Sequence, residues 1–225
     1  MAEEDALESV KEMHVVVVAN GIIEDQDGSR AIAERADLLL CANGGALSVL
    51  GWGLTPAAVI GDMDSLDVET LGRLERAGVK LDRFAPRKDA TDLELALDRA
   101  VDSGATRITI LGALGGRIDQ TLGNIMLLTQ PRLAGMSVRI QEGDERLVLV
   151  CDTVTIRGEA GDTVSLLPLS RKVTHVTTDG LEYPLQDELL YQYASRGISN
   201  RMLANVATVT IGDGLLLVIH RLAVS

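Results

Sequence analysis

Aromatic residues and cysteines are scarce in this chain. Its 225 residues include one Trp, three Tyr, one Phe and two Cys, while 46% of the residues are hydrophobic. The hydrophobic cores must therefore rest on Leu, Val, Ile and Ala. Cys41 and Cys151 are far apart in sequence and form no CxxC motif. This spacing favours reduced, structural thiols in a cytosolic protein.

The chain also lacks a net positive charge and long apolar runs. Its formal net charge is −12, which argues against a nucleic-acid partner, because a nucleic-acid surface needs a face rich in Lys and Arg. No apolar run approaches the ~18 residues that a membrane span requires. The acidic N-terminal stretch MAEEDALESVKEM lacks the apolar segment of a signal peptide. We therefore expect a soluble, cytoplasmic protein without a membrane partner.

Short apolar segments alternate with helix-like segments over the first 140 or so residues. The apolar segments are HVVVVAN, DLLLCAN, AAVIGD, VKLDRFA, RITILGA and SVRIQ. Continuous apolarity is typical of parallel strands that are buried on both faces. The clearest helix is TDLELALDRAVDSG, with a capping box at Thr91 and Glu94 and a possible end at Gly104. Alternating strands and helices predict a three-layer, Rossmann-like α/β domain with a parallel sheet.

After about Glu142 the sequence changes to successive strands separated by Gly, Asp and Pro. This pattern is typical of an antiparallel β-sandwich. The segment QDELLYQYASRG is compatible with a helix or a long loop. IGDGLL predicts a hairpin turn with Asp213-Gly214 at its tip. We therefore predict an α/β domain over residues 1–142 and a β-sandwich domain over residues 143–225.

Unusual residues follow four of the predicted parallel strands. Ligands of an open parallel sheet bind at the carboxyl ends of its strands. We therefore expect these residues to share one edge of the sheet. In strand order they are Asn43, Gly44 and Gly45, then Asp62 and Asp64, then Lys88, Asp89 and Asp92, and finally Gly115, Gly116, Arg117 and Asp119.

The side chains at this edge suit a metal ion and phosphates. Carboxylates are hard oxygen ligands that suit Mg²⁺, whereas Lys and Arg supply positive charge for phosphates. The glycine pair before the arginine allows backbone N–H groups to approach a phosphate. The metal candidates are Asp62, Asp64 and Asp92, and the phosphate candidates are Lys88 and Arg117. Together these features predict phosphoryl-type transfer or hydrolysis.

Other nucleotide and phosphate motifs fit less well. The chain contains neither GxxxxGKS nor GxxxxGKT, which excludes a P-loop ATPase, and its glycines at 112, 115 and 116 do not match G-x-G-x-x-G. The Asp62-x-Asp64 motif is similar to that of haloacid-dehalogenase phosphatases, whose first Asp attacks phosphorus. Here, however, the motif follows the third strand, and Gly61 stands between the strand and the motif.

Five segments resemble the thiamine pyrophosphokinase family in content and order. They are IGDMDSL, RKDATDLELAL, LGALGGRIDQTLGNIMLL, GLEYPL and RGISN, and the resemblance extends from about Val15 to Val218. It implies an N-terminal α/β nucleotide-binding domain and a C-terminal β-sandwich, in agreement with the division above. It also implies a homodimer with each active site at the subunit interface, in which the sandwich binds thiamine.

The resemblance further implies an Mg²⁺-dependent reaction. A pyrophosphoryl group passes from ATP to the hydroxyethyl oxygen of thiamine, and the products are thiamine diphosphate and AMP. Asp62, Asp64 and Asp92 would hold the metal, and Lys88 and Arg117 would neutralise charge that shifts during transfer. ATP-binding roles fall on Asn43, Gly44, Gly45, Lys88, Asp89, Gly115, Gly116, Arg117 and Asp119. Thiamine-binding roles fall on Gln120, Asn124, Ser199 and Asn200.

Two positions depart from the family pattern. Many relatives have Asp at the position of Asn43, and bacterial relatives often have His at the position of Gln120. Asn retains hydrogen bonding without the charge, so a metal or ribose role there is an open question. Three other functions also remain open. They are a pyrophosphokinase for another hydroxyalkyl heterocycle such as a hydroxymethylpterin, a phosphatase with Asp62 as nucleophile, and a nucleotide-binding dimer without activity.

Overall fold

The computed structural model describes residues 12–85 and 89–223. The first half of the chain alternates strands with helices, and a short 3₁₀ helix, Pro131–Leu133, precedes its last strand. In chain order the other elements of this half are β1 (His14–Val18), α1 (Gln26–Ala33), β2 (Leu38–Ala42), α2 (Gly45–Gly51), β3 (Ala58–Gly61), α3 (Val68–Arg76), β4 (Lys80–Arg83), α4 (Asp92–Asp102), β5 (Arg107–Leu111), α5 (Ile118–Leu127) and β6 (Ser137–Glu142).

The second half consists of strands joined by turns. They are β7 (Glu145–Val150), β8 (Thr153–Arg157), β9 (Thr163–Pro168), β10 (Lys172–Asp179), β11 (Glu188–Tyr191), β12 (Asn200–Arg201), β13 (Val206–Thr210) and β14 (Leu216–Arg221). Each of the six parallel strands expected from the sequence corresponds to one of β1–β6.

Helix α4 begins where the sequence predicts. The Thr91 side chain accepts a hydrogen bond from the backbone N–H of Glu94 at 3.2 Å, and Gly104 follows the helix with a positive φ of 85°. In the same way, Asp67 caps α3 by accepting from Thr70 N at 2.7 Å. These bonds satisfy N–H groups that have no partner within a helix. No helix within the described ranges is both long and apolar enough to cross a membrane.

The central sheet contains ten strands in the order β12-β9-β14-β7-β6-β5-β1-β2-β3-β4. Strands β6, β5, β1, β2, β3 and β4 are mutually parallel, whereas β7 pairs antiparallel with β6 and begins the antiparallel half. The chain moves outward from β1 to β4 and then returns to place β5 on the other side of β1. This change of direction opens a crevice beyond the carboxyl ends of β1 and β5, where open α/β sheets bind ligands.

Helices cover both faces of the parallel half because successive side chains of a strand point to opposite faces. Val15 and Val17 of β1 belong to a core that includes Leu93 and Leu97 of α4. Val16 and Val18 belong to a second core, which includes residues of α1, α2 and α3. The three-layer α/β arrangement predicted from the sequence is therefore confirmed.

The antiparallel half packs against a second sheet of four strands, in the order β11-β10-β13-β8. A third core lies between these sheets and includes Val164, Leu166, Val209 and Val218. The predicted β-sandwich is thus present, although the large sheet continues without interruption from β6 to β7, across the predicted boundary at residues 142 and 143. Division into two domains at that point stays a prediction.

Two local predictions differ from the structure. The hairpin predicted around Asp213-Gly214 is wrong, because β13 pairs with β8 and β10 in the small sheet while β14 pairs with β7 and β9 in the large one. The turn therefore carries the chain between sheets. QDELLYQYASRG is neither a helix nor a continuous loop, since Glu188–Tyr191 forms β11, with Leu190 buried against the sandwich core.

Candidate active site

A cavity of about 590 Å³ lies at the carboxyl ends of β1, β2, β3 and β5 and beside the start of α4. It is lined on one side by an acidic and amide group, Asn43, Asp62, Asp64 and Asp92, and on the other by the segment from Gly112 to Arg117. Residues from separate strand ends thus meet at one edge of the sheet, as the sequence predicts.

Three carboxylates converge on one nitrogen atom. The side-chain Nδ2 of Asn43 donates to Asp62 Oδ1 at 2.9 Å, to Asp64 Oδ1 at 2.8 Å and to Asp92 Oδ2 at 3.1 Å. Asn43 is 5% exposed, and its Oδ1 atom is buried without a hydrogen-bond partner among the described residues. A buried amide group, rather than solvent, therefore occupies the centre of this cluster.

The backbone around the cluster is closely fitted. Asn43 has φ of +44°, a left-handed conformation that Asn tolerates better than most residues. Gly61 ends β3 with φ of +150°, and a Cβ atom there would lie 2.9 Å from Asp92 Cγ and 3.0 Å from Asn43 Cβ. Only glycine lets β3 pass this close to the start of α4, so Gly61 positions the carboxylates without contributing a side chain.

Hydrogen bonds to the carboxylate of Asp64 favour its ionised form. The Asn43 amide is the main cause that holds the pKa of Asp64 below its usual value, and the Ser65 hydroxyl, which donates at 3.1 Å, adds to it. Donors to a charged carboxylate lower its pKa because they stabilise the anion. Asp64 is therefore available as an anionic oxygen ligand at neutral pH.

The opposite wall is a glycine turn followed by a helix N-terminus. Gly115 and Gly116 have φ of +78° and +69°, and α5 begins two residues later at Ile118. Such a turn exposes backbone N–H groups and places the positive end of a helix dipole beside the cavity. Arg117 forms a two-bond pair with Asp119, at 2.5 Å and 3.1 Å, and this pair lowers the pKa of Asp119.

Comparisons with known proteins agree with this arrangement. The family model described as the catalytic domain of thiamin pyrophosphokinase matches residues 29–140, and the model of its vitamin B1 binding domain matches residues 153–216. Thiamine pyrophosphokinase of Bacillus subtilis is 28% identical over 209 residues, which cover 91% of this chain and 96% of the relative. The chain belongs to the thiamin pyrophosphokinase family. Both the family and the enzyme class predicted from the sequence, thiamine diphosphokinase, are confirmed.

Solved structures of the family share the fold. The crystal structure of the Bacillus subtilis enzyme has a TM-score of 0.83 at 28% identity and covers 94% of this chain and 100% of its own. That of the Geobacillus thermodenitrificans enzyme has a TM-score of 0.81 at 26% identity, with 95% and 99% covered. The yeast enzyme, at 18% identity and a TM-score of 0.77, covers 94% and 87% and supports the fold alone.

The remaining ATP-binding residues predicted from the thiamin pyrophosphokinase motifs differ in their local environment. Gly44 and Gly45 have a packing explanation, because a Cβ atom at Gly45 would lie 2.1 Å from the backbone oxygen of Val18. Asp89 is exposed and does not line the cavity. Lys88 lies outside the described residues. Roles in ATP binding at these positions stay predictions.

Two predicted thiamine ligands lie on α5. Gln120 is exposed and lines the cavity, so its side chain is open to a ligand. Asn124 also lines the cavity but is largely buried, and its Nδ2 donates to the backbone oxygen of Ala113 at 2.7 Å. This bond ties α5 to the glycine turn, so Asn124 has a structural task in addition to any contact with substrate.

The other two predicted thiamine ligands lie elsewhere in the chain. Asn200 begins β12 and Ser199 directly precedes it, and β12 is eight strand positions from β3 in the large sheet. Asn200 is buried; it accepts from the backbone N–H groups of Tyr183 and Arg201 and donates to the Tyr183 oxygen at 2.7 Å. Its polar atoms are therefore used to hold the loop at Tyr183, whereas Ser199 is exposed with φ of +60°.

Sequence reasoning did not identify every residue of the cavity. Asn20 lines the cavity, and its Nδ2 donates to Ser65 Oγ at 3.4 Å. Gly21 packs so tightly on the glycine turn that a Cβ atom would lie 2.3 Å from the Gly112 oxygen. Their position directly after β1, beside the change in strand direction, was the signal available in the sequence.

Proposed function

We propose that this chain transfers a pyrophosphoryl group from ATP to the hydroxyethyl oxygen of thiamine and thereby forms thiamine diphosphate and AMP. Membership of the family supports pyrophosphoryl transfer to thiamine. The observation that carries the proposal is the convergence of Asp62, Asp64 and Asp92 beside a glycine turn. Transfer of this kind depends mainly on positioning the phosphates and neutralising their charge.

The three carboxylates fit Mg²⁺ by their chemistry. They offer hard oxygen atoms around one point, and Mg²⁺ commonly binds one or two carboxylates together with waters and substrate phosphates. Within residues 12–85 and 89–223, no three acidic, His or Cys side chains already have the spacing of a metal site. Binding therefore requires small side-chain movements from the present hydrogen-bonded arrangement. When bound, the ion would supply positive charge against the phosphates.

The chain's own phosphate-binding groups lie across the cavity from the carboxylates. The backbone N–H groups of Gly115 and Gly116, with the N-terminus of α5, would receive phosphate oxygens. Arg117 adds a guanidinium that now pairs with Asp119 on the surface, where solvent weakens the pair. We propose that Arg117 exchanges this carboxylate for phosphate oxygens, which present the same two-oxygen geometry.

The direct test measures AMP formation from ATP with two different acceptors, and phosphate-monoester hydrolysis without ATP. With Mg²⁺, thiamine should give AMP and thiamine diphosphate in equal amounts, whereas a hydroxymethylpterin should give no AMP. Without ATP, a phosphate monoester should not be hydrolysed, since hydrolysis would favour the phosphatase alternative. Absence of thiamine-dependent AMP with active, folded protein would refute the proposed reaction and favour a binding protein.

A pair of matched variants separates the metal site from its surroundings. Asp64→Asn removes one charge from the cluster and should reduce turnover by at least about 100-fold. Asp67→Asn removes one charge three residues away, where the side chain caps α3. Asn is an equally good cap, so turnover should stay within about twofold of the unmodified chain. Equal losses in both variants would contradict the metal assignment.

The distance between the carboxylate cluster and Ser199 supports a dimer with shared sites. Eight strand spacings separate β3 from β12, which corresponds to roughly 38 Å along the sheet at about 4.8 Å per strand. One thiamine molecule cannot span that distance. If Ser199 contacts the thiamine that receives the pyrophosphoryl group at the cluster, Ser199 and the cluster of that site must come from different chains. Exposed apolar side chains near Ser199, including Tyr193 and Ile198, offer a surface for the partner.

Subunit complementation tests this dimer. Asp64→Asn disables the α/β side of a shared site, and Ser199→Arg should block the sandwich side. Refolding an equal mixture of the two chains places both defects in one site of each mixed dimer and leaves the other site intact. Random pairing should therefore restore about a quarter of the normal activity. A mixture that stays inactive, although mixed dimers form, would place each site within one chain.

The predicted cytoplasmic location stays a prediction.

A further inference from the structure

The Asn43 amide occupies the point at which the three carboxylates meet. One NH₂ group carries two hydrogens, yet three anionic oxygens from Asp62, Asp64 and Asp92 lie 2.8–3.1 Å from its nitrogen. Two hydrogens cannot satisfy three charged acceptors fully. A single neutral amide thus holds the three carboxylates together, and it offsets only part of their negative charge.

The orientation of this amide is imposed by the carboxylates. A half-turn of the side chain would direct Oδ1 of Asn43 toward three negative groups, which is unfavourable. The Oδ1 atom itself has no partner within the described ranges although it is buried. Because Oδ1 has no hydrogen bond to lose, the amide can reorient when its carboxylate partners bind a metal cation.

We propose that Asn43 is a positioning residue that substitutes for the metal ion in the metal-free protein. Its amide keeps the three carboxylates gathered and lowers their mutual repulsion, and it must surrender these hydrogen bonds when a divalent cation binds. Asn43 therefore opposes metal binding in the absence of nucleotide. This inference rests on the metal site of the proposed function.

Changes at Asn43 should affect the metal-free and metal-bound states differently. Removing the amide destabilises the metal-free state, in which its bonds exist, more than the metal-bound state, in which they are lost. Metal affinity should therefore rise. Loss of one charge-assisted hydrogen bond corresponds to roughly a tenfold change in an equilibrium constant.

Two substitutions test this difference. Asn43→Gly removes the amide and suits the left-handed backbone at this position, where φ is +44°. Asn43→Asp replaces the donor by a fourth carboxylate. The thermal midpoint in EDTA should decrease in the order unmodified, Asn43→Gly, Asn43→Asp. Mg²⁺ and Mn²⁺ affinity, measured by isothermal titration without ATP or thiamine, should increase in the same order, by about tenfold for Asn43→Gly.

Asn20→Gly is the matched control. Asn20 is a second asparagine at the cavity, and its side-chain nitrogen donates to the Ser65 hydroxyl at 3.4 Å rather than to a carboxylate. Its removal should leave metal affinity within about twofold of the unmodified chain. A rise as large as that of Asn43→Gly would assign the effect to the cavity in general and overturn the proposal.

The result that overturns the inference is metal affinity in Asn43→Gly equal to or lower than that of the unmodified chain. Lower affinity would make Asn43 a metal ligand, and a thermal midpoint lowered equally with and without metal would make it purely structural.

The outcome is separable from the proposed reaction. If thiamine-dependent AMP forms while the affinity order fails, this inference alone is wrong; if the order holds without AMP formation, the reaction alone is wrong. Asn43→Gly suffices if Asn43→Asp does not fold.

Discussion

A single methyl group at Gly61 should disturb the active site strongly. Gly61 is the last residue of β3, directly before Asp62, and an added Cβ atom would stand 2.9 Å from Asp92 Cγ and 3.0 Å from Asn43 Cβ. Carbon atoms in favourable contact are about 3.5–4.0 Å apart. Gly61→Ala must therefore push β3 and the first residue of α4 apart by roughly half an ångström or more.

This displacement acts on activity and stability to different degrees. A shift of about 1 Å in a catalytic arrangement can lower the rate by about 100-fold, so a shift of half that size should lower kcat/KM by roughly 10-fold to 100-fold. The backbone has φ of +150° at Gly61, which side chains rarely accept. The strain should reduce the free energy of unfolding by about 1–3 kcal/mol, so the variant should fold but catalyse poorly.

Gly72→Ala is the control for a methyl group added to glycine. Gly72 lies within α3, and a Cβ atom there meets nothing within 4 Å. This substitution should raise the free energy of unfolding by about 0.5–1 kcal/mol, because Ala favours the helix interior, and leave turnover unchanged. Urea unfolding and thiamine-dependent AMP formation measure both quantities. Gly61→Ala with turnover within twofold of the unmodified chain would refute the reasoning.

Three further predictions concern acid stability, buried charge and thiol reactivity. Burial alone would raise the pKa of Asp162, but hydrogen bonds from two backbone N–H groups and a histidine ring hold it below its usual value. The stability that ionised Asp162 contributes is fully present above the unfolded-state pKa of about 3.9 and is lost as pH falls through the lower folded-state pKa. The free energy of unfolding of Asp162→Asn, measured with urea, should therefore change less with pH below about 4 than that of the unmodified chain. Burial, and after it the charges of two neighbouring arginines, lower the pKa of Arg139, and its Nε has no hydrogen-bond partner among the described residues. Arg139→Met should therefore raise the free energy of unfolding by ~1 kcal/mol, and a clear decrease would show that the charge is compensated. Burial raises the pKa of the Cys41 thiol while Cys151 is exposed, so a thiol reagent should react rapidly with Cys151 only until denaturant is added, and rapid reaction at Cys41 in the native protein would contradict its burial.

Local patterns and a topological rule were sufficient to predict the frame of the site. The continuous apolar strands β1 to β6 and the cap at Thr91 follow from side-chain chemistry within a few residues. Because parallel strands end at a common edge, Asp62 and Asp64 could be placed near Asp92 without coordinates. Periodicity and capping are local, and for that reason they are readable in a sequence.

Features that depend on distant partners were not predictable in the same way. The turn at Asp213-Gly214 has the composition of a hairpin, yet β13 and β14 find better partners in different sheets. Strand β11 is short, and only its pairing with β10 and the burial of Leu190 define it. Whether a turn joins two paired strands is decided by packing of the whole sandwich rather than by the turn residues.

Asn43 and Asn200 illustrate how a structure separates functional from structural polar residues. In the sequence both are asparagines beside small residues in motifs of one family, and neither is distinguishable by type. In the structure, the side chain of Asn200 donates and accepts with backbone groups of Tyr183 and Arg201 at 2.7–3.0 Å, as expected of a buried amide that stabilises a loop. Asn43 is equally buried, yet its nitrogen faces three charged acceptors and its oxygen faces none. A buried amide with too many partners on one side and none on the other is costly for folding alone. Such an imbalance is explained when the carboxylates around it serve a ligand, and this is the physical reason for placing the chemistry at Asn43 rather than at Asn200.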